Sequence, residues 1–257
     1  MSGRVTLVGG GPGREDLLTV AAVRALAGAE VVLYDRLAPH EHLAELAPRA
    51  ELVDVGKRPG HHAIPQHEIE RLLVEHALAG RRVVRLKGGD PYVLGRGGEE
   101  LAACRAAGIP VDVVPGVTSA VAVPGAAGIP LTHRGISCMF TVVSGHAPLS
   151  DAELGHLAGL GGTIVVLMGM TTLPATAAGL VRAGMAAGTP VAIVERGFQA
   201  GQRTTVAELG DVVARAAAVR AASPAIIVIG EVVRLAAGGD GAAREVMQRA
   251  AGLGASP

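Results

Sequence analysis

The stretch Arg85–Glu100, RLKGGDPYVLGRGGEE, decides how the rest of the chain is read. It begins at the end of an apolar run, Arg82–Leu86. It then passes through Gly88, Gly89, Gly95, Gly97 and Gly98, with Asp90, Arg96, Glu99 and Glu100 interleaved. An apolar run that breaks into glycine and gives way to an Ala-rich segment, Glu99–Ala107, reads as strand, loop and helix. Glycine this dense lets a backbone take positive φ or come very close to something.

The same unit recurs on either side. Strand-like runs fall at Val5–Val8, Glu30–Tyr34, Glu51–Val55, Arg82–Leu86 and Val111–Val114, with helical patterns at Leu17–Ala27, Pro39–Ala47 and Gln66–Ala79 between them. That rhythm predicts βαβ units, a parallel sheet and functional loops at strand C-termini. After the Gly/Pro-rich passage VPGVTSAVAVPGAAGIPLTHRG, a second set of runs begins: Cys138–Ser144, Thr163–Leu167, Val191–Glu195, Arg203–Ala207 and Ala225–Ile229. The expectation is two α/β domains, 1–130 and 131–237, followed by an Ala/Gly-rich tail, 238–257.

Bulk properties exclude several classes. Net charge is zero, from 23 basic and 23 acidic residues, and there is no Trp, so neither a basic footprint nor stacking platforms for nucleic acid are evident. The longest apolar segments, Val111–Leu131 and Ala216–Val233, are cut by Pro, Asp or Arg before the ~20 residues a membrane helix needs. The N-terminal apolar run is too short for a signal peptide, and two cysteines, Cys104 and Cys138, suit a reducing compartment. A cytoplasmic protein is expected. Among the 23 basic residues only Lys57 and Lys87 are lysines, and both lie beside the glycine motifs.

Several motifs carry chemistry. VTLVGGGPGREDLLT places a glycine turn between a strand and a helix and, with Asp35 about 20 residues on, invites a dinucleotide reading. The fingerprint fails at its third glycine, where Arg14 stands, and Pro12 sits inside the loop. In GGDP, Asp90 would repel a phosphate but suits a ligand with hydroxyls, an ammonium or a sulfonium. A nucleoside with a cationic amino-acid tail, such as S-adenosylmethionine, has that chemistry; a solvated Gly-Gly-Asp-Pro turn accounts for the same residues. Thr118 or Ser119 in PGVTSA serves as helix cap or ligand contact. His61, His62, His67 and Glu68 read as a solvated loop rather than a metal cluster.

In order along the chain, VGGGPGREDLLT, VVLYDRL, VGKRPGHH, VVRLKGGDPYVLGRGGEE, VVPGVTSAVA, AGIPLTHRG, SGH, LMGM, VERG, QRTT and PAIIVIGEVV resemble the uroporphyrinogen-III C-methyltransferases, a branch of the tetrapyrrole methylases. The resemblance covers roughly Val5 to Val233, so no second catalytic domain is expected within the chain. Arg14-Glu15 stands where Asp-Pro is usual, Leu94 where Phe is common, and Leu167 where Tyr is common. The resemblance implies a homodimer of two-domain α/β subunits with S-adenosylmethionine in a cleft between the domains. The cofactor contacts it implies are Pro12, Gly88, Gly89, Asp90, Val93, Thr118, Ser119, Met168 and Gly197. Asp35 and Lys57 match the positions assigned as proton acceptor and donor. The implied substrate is uroporphyrinogen III, methylated twice to precorrin-2, and its eight carboxylates would meet a cationic rim of Arg36, Arg58, His133 and Arg134. A sister enzyme acting on a later corrin precursor, a diphthine synthase, and an NAD-dependent oxidoreductase are the alternatives.

Overall fold

Each of the ten β-branched runs forms a strand in the computed structural model, which describes residues 3–56 and 64–236. In the first of two units, 1–119, β1 (Arg4–Gly9), β2 (Val31–Tyr34), β3 (Glu51–Asp54), β4 (Arg82–Lys87) and β5 (Val111–Val114) make one sheet. Its order is β3-β2-β4-β1-β5, and every pair is parallel. The connecting helices are α1 (Val20–Ala27), α2 (Leu43–Leu46), α3 (Gln66–Leu78) and α4 (Gly97–Ala106). Thr19 caps α1, its hydroxyl accepting from Ala22 N at 3.1 Å.

Strand alternation sorts the side chains. Val5, Leu7, Val31, Leu33 and Val83 pack with Ile69, Leu73 and Ala77 of α3 and Cys104 of α4. Val8, Val32, Val84 and Leu86 pack on the other face, with Ala22 and Leu26 of α1 and Leu43 of α2. The chain leaves β1 toward β2 and leaves β4 toward β5, in opposite directions along the sheet. The crevice at the C-terminal ends of β1 and β4 is therefore the topological switch point, where ligands bind in sheets of this kind.

The second unit begins at Ala120, just inside α5 (Ser119–Ala126). It contains β6 (Phe140–Ser144), α6 (Asp151–Leu160), β7 (Thr163–Leu167), α7 (Leu173–Arg182), β8 (Pro190–Glu195), β9 (Arg203–Glu208), α8 (Val212–Ala218) and β10 (Ala225–Ile229). Strand order is β6-β7-β10-β8-β9; only β6 and β7 run parallel, and the other pairs are antiparallel. The division differs from the sequence expectation of a boundary after residue 130. Ala120, Val123, Ala127 and Ile129 are buried in one core with Val165, Val194 and Val228. From Ala120 onward the Gly/Pro-rich passage thus supplies apolar core to the second unit, while its start, Val114–Ser119, belongs to the first. The expected tail, 238–257, lies outside the described residues.

Candidate active site

Four strand-end loops of the first unit meet at the switch point. Gly10 N donates to Lys87 O (2.7 Å), Gly11 and Gly89 exchange backbone bonds (3.1 and 2.7 Å), and Asp35 N donates to Leu86 O (3.1 Å). A Cβ on Gly9 would stand 2.4 Å from Gly116 N, and one on Gly116 would stand 2.3 Å from Gly89 O. What the glycines admit here is therefore, first of all, other backbone: loops after β1, β4 and β5 are pressed together more closely than any side chain permits. Gly11 and Gly89 also hold left-handed φ of 71° and 68°. Asp90 latches the arrangement, Oδ1 accepting from Tyr92 N (2.8 Å) and Oδ2 from Gly116 N (3.0 Å).

These bonds bring Pro12, Gly88, Gly89, Asp90, Thr118 and Ser119 to one end of the sheet. Pro12 follows the Gly11–Gly89 bridge, and Ser119 N lies 3.6 Å from where a Gly89 Cβ would be. Val93 is tied to the same loop, its N–H donating to Asp90 O at 3.3 Å. The loop after β2 joins them, because Leu37 packs on Gly88 and Pro39 on Gly10. Arg36, in that loop, is exposed. Lys57 and Arg58 lie outside the described residues.

Behind the loops is a buried ionic network. β4 alternation puts Val83, Arg85 and Lys87 on the α4 side, so two cations continue an apolar stripe. Arg85 and Lys87 are 2% and 3% exposed, and Glu100 on α4 is fully buried. Arg85 Nη2 donates to Asp35 Oδ1 (2.6 Å) and Nε to Glu100 Oε1 (3.0 Å). Lys87 Nζ donates to the same Glu100 oxygen (2.9 Å), and Gln66 Nε2 reaches it at 3.4 Å. Burial works against the Arg85 cation, but the Asp35 and Glu100 carboxylates outweigh it and hold the guanidinium above its ordinary value. Lys87 goes the other way: burial and the neighbouring Arg85 push its ammonium down despite Glu100.

Cys104 lies one turn beyond Glu100 on α4 and is fully buried. Burial, reinforced by the charges of Glu100 and Glu70, pushes its thiol up to about 11. Cys138 is exposed, and both cysteines are free. A thiol reagent at about pH 8 is expected to modify Cys138 alone in the folded protein and both cysteines after unfolding. Peptide mass mapping reads this directly, and rapid native labelling of Cys104 would show that α4 opens.

The second unit has strand-end loops of its own. Gly145 N donates to Leu167 O (2.7 Å), a Gly145 Cβ would stand 2.4 Å from Gly169 Cα, and Thr172 Oγ1 donates to Gly145 O (2.7 Å). Between them Met168 holds φ 58° with its side chain half exposed, a conformation unusual for a residue with a Cβ. Gly197 packs against Val123, whose Cγ2 would be 2.5 Å from an added Cβ. His133 and Arg134 lie in a short turn in which His133 and Ser137 exchange backbone bonds of 2.9 Å. That turn, Thr132–Cys138, lines a shallow cavity of about 600 Å³, and Arg134 is exposed.

The sequence reading passed over Arg85 and Glu100. A usable signal was present: beyond the exposed Arg82 that opens β4, two cations spaced by two, Arg85 and Lys87, stand among apolar residues, with a carboxylate on the following helix.

Glycine loops stitched together at the switch point of a parallel sheet, with a carboxylate and a buried guanidinium beneath them, define an α/β protein whose strand C-termini form the kind of crevice where such sheets bind ligands. Residues 4–213 match the family model of the tetrapyrrole (corrin/porphyrin) methylases, and the chain belongs to that family. It is 48% identical over 237 residues to the S-adenosyl-L-methionine-dependent uroporphyrinogen III methyltransferase of Methanosarcina barkeri, covering 91% of this chain and 93% of the relative. Among solved structures it is similar to the uroporphyrin-III C-methyl transferase of Thermus thermophilus complexed with S-adenyl homocysteine. That match is 45% identical with a TM-score of 0.77, covering 91% of this chain and 100% of the other. A cobalt precorrin-4 methyltransferase shares the fold at 27% identity and a TM-score of 0.77, covering 88% and 94% of the two chains. Among the described residues no helix is long and apolar enough to cross a membrane.

Proposed function

We propose that this chain transfers methyl groups from S-adenosylmethionine to two pyrrole carbons of uroporphyrinogen III, giving precorrin-2 by way of precorrin-1. The observation that carries the reading is the 48% identity to a methyltransferase of that name across nearly the whole of both chains. The residues present suit such a cofactor. Gly88 and Gly89 leave backbone without side chains at the switch point, and Asp90 adds a carboxylate there that would repel a phosphate and favours a cationic tail. Pro12, Gly88, Gly89, Asp90, Val93, Thr118 and Ser119, with Met168 and Gly197 from the second unit, are the positions assigned to hold it.

When bound, the cofactor supplies an electrophilic methyl on a sulfonium. The protein's first task is positioning, setting an electron-rich pyrrole carbon in line with that methyl. Attack leaves a cationic macrocycle that must lose a proton, and Asp35 is the group assigned to take it. Its carboxylate is partly exposed, at 32%, beside the loops that carry the cofactor positions. Lys57 is assigned as the proton donor.

Arg36, Arg58, His133 and Arg134 form the cationic rim proposed for the substrate carboxylates. Exposed charge pairs contribute about 0.2–1 kcal/mol each. Replacing Arg36, Arg58 and Arg134 together by Gln is therefore expected to raise KM for uroporphyrinogen III on the order of tenfold. Steady-state kinetics at two salt concentrations checks this, and an unchanged KM removes the rim. The chain is further proposed to act as a homodimer in the cytoplasm. Its free cysteines support that compartment, and sedimentation equilibrium tests the dimer.

The decisive experiment is anaerobic incubation with uroporphyrinogen III and methyl-labelled S-adenosylmethionine, following macrocycle mass and label. Two methyl groups on the macrocycle are expected. Tight S-adenosylhomocysteine binding without transfer would favour a second reading, methylation of a later corrin precursor, for which the shared fold of the cobalt precorrin-4 enzyme is the supporting observation.

A further inference from the structure

We infer that Arg85 is a positioning residue for Asp35, a buried guanidinium that fixes the Asp35 carboxylate from below and leaves one of its oxygens free to accept a proton. The inference rests on the assignment of Asp35 as the proton acceptor.

The guanidinium is held on three sides. Besides Asp35 and Glu100, its Nη1 donates to Leu86 O (3.1 Å) and Leu33 O (3.4 Å). It is therefore referenced to β2, β4 and α4 at once. Asp35 is in turn fixed twice by β4, through its own N–H to Leu86 O and through its Oδ1 to Arg85. Among the described residues nothing donates to Oδ2. One oxygen is committed inward, and the other is left for a substrate proton.

A purely structural purpose accounts poorly for this arrangement. An apolar side chain at Arg85 would continue the Val83 stripe, and buried ion pairs are often no more stable than well-packed hydrophobic replacements. Nor is the network arranged for stability. Arg85, Lys87 and Gln66 all donate to Glu100 Oε1, while Oε2 is buried and has no hydrogen-bond partner among the described residues. Local rules broken in this way tend to mark function. The choice of arginine fits as well, since only a planar fork reaches Asp35 and Glu100 together, whereas an ammonium is a single point.

The test is a double-mutant cycle on the full chain, pairing Arg85→Met with Asp35→Asn. Arg85→Met leaves Glu100 paired with Lys87 and leaves Asp35 in partial contact with water. Arg85→Met alone is expected to lower kcat roughly 10- to 100-fold, with KM and the S-adenosylhomocysteine Kd within about threefold of the parent. Added to Asp35→Asn, it should cost less than about threefold more, because its target is already gone. Equal losses in both backgrounds, or a Kd that weakens in step with kcat, would overturn the inference. Full activity of Asp35→Asn alone would instead refute the proton-acceptor assignment and take the inference with it. Should Arg85→Met fail to fold, Arg85→Lys, which keeps a cation beside Glu100 but cannot fork, carries the same cycle with the same outcomes.

Discussion

Replacing Asp35 by asparagine is expected to lower kcat for methylation by about 10²–10⁴-fold, the range general acid–base catalysis contributes, without loss of fold or of S-adenosylhomocysteine binding. The change keeps size and shape. An amide oxygen still accepts from Arg85 Nη2, so the 2.6 Å contact need not break. What disappears is the negative charge and, with it, the capacity to take a proton from the cationic macrocycle. KM should move little, since Asp35 is assigned to the proton and not to the carboxylates of the substrate. Single-turnover label transfer, with thermal unfolding and calorimetric binding as controls, separates these effects. A variant that turns over at the parental rate would assign the proton to water or to another group.

The largest stability effect is expected at Glu100. Glu100→Leu removes the one carboxylate shared by Arg85 and Lys87, and breaking a buried ion pair from one side costs roughly 3–5 kcal/mol. Arg85 keeps Asp35, so the burden falls on Lys87. That gives the loss a pH dependence with a definite sign. Burial and Arg85 already push the Lys87 ammonium below its ordinary value. Between that lowered value and the ordinary lysine range, the unfolded chain binds more protons than the folded one, so stability rises with pH across this window and is lost as pH falls through the folded value. Removing Glu100, which opposes the shift, widens the window toward neutrality. The stability gap between parent and variant, measured by urea unfolding, should therefore narrow as pH rises toward the ordinary lysine range. A gap that is small, or that widens with pH, would mean that Lys87 is charged and paired elsewhere.

The strands were the most legible part of the molecule. Arg82–Leu86 and Val111–Val114 were read within a residue of β4 and β5 because each is a short β-branched run bounded by loop residues, buried in the middle of the sheet at β4 and half-buried at its edge at β5. Direction was less legible. The rhythm that predicts a parallel sheet holds for the first unit, yet most pairs of the second are antiparallel, and nothing in an apolar run states which neighbour it will join. The domain boundary was displaced for a related reason. Val121–Ala127 is rich in Ala, Val, Gly and Pro, a composition shared by linkers and close-packed helices, and only the partners at Val165 and Val228 decide between them.

The sequence alone determined the ten strands, the glycine loops at their ends and the family, because each is written in local composition and ordered motifs. The tertiary structure decided what those residues touch. It showed that Gly9 and Gly116 are glycines chiefly because backbone lies against backbone, that Asp90 is bonded to Tyr92 N and Gly116 N, and that Arg85 stands beneath Asp35. The physical reason is range: hydrophobic period and turn chemistry act over a few residues. The bond from Arg85 to Asp35 spans 50 positions, and it exists only once β2 and β4 have been paired.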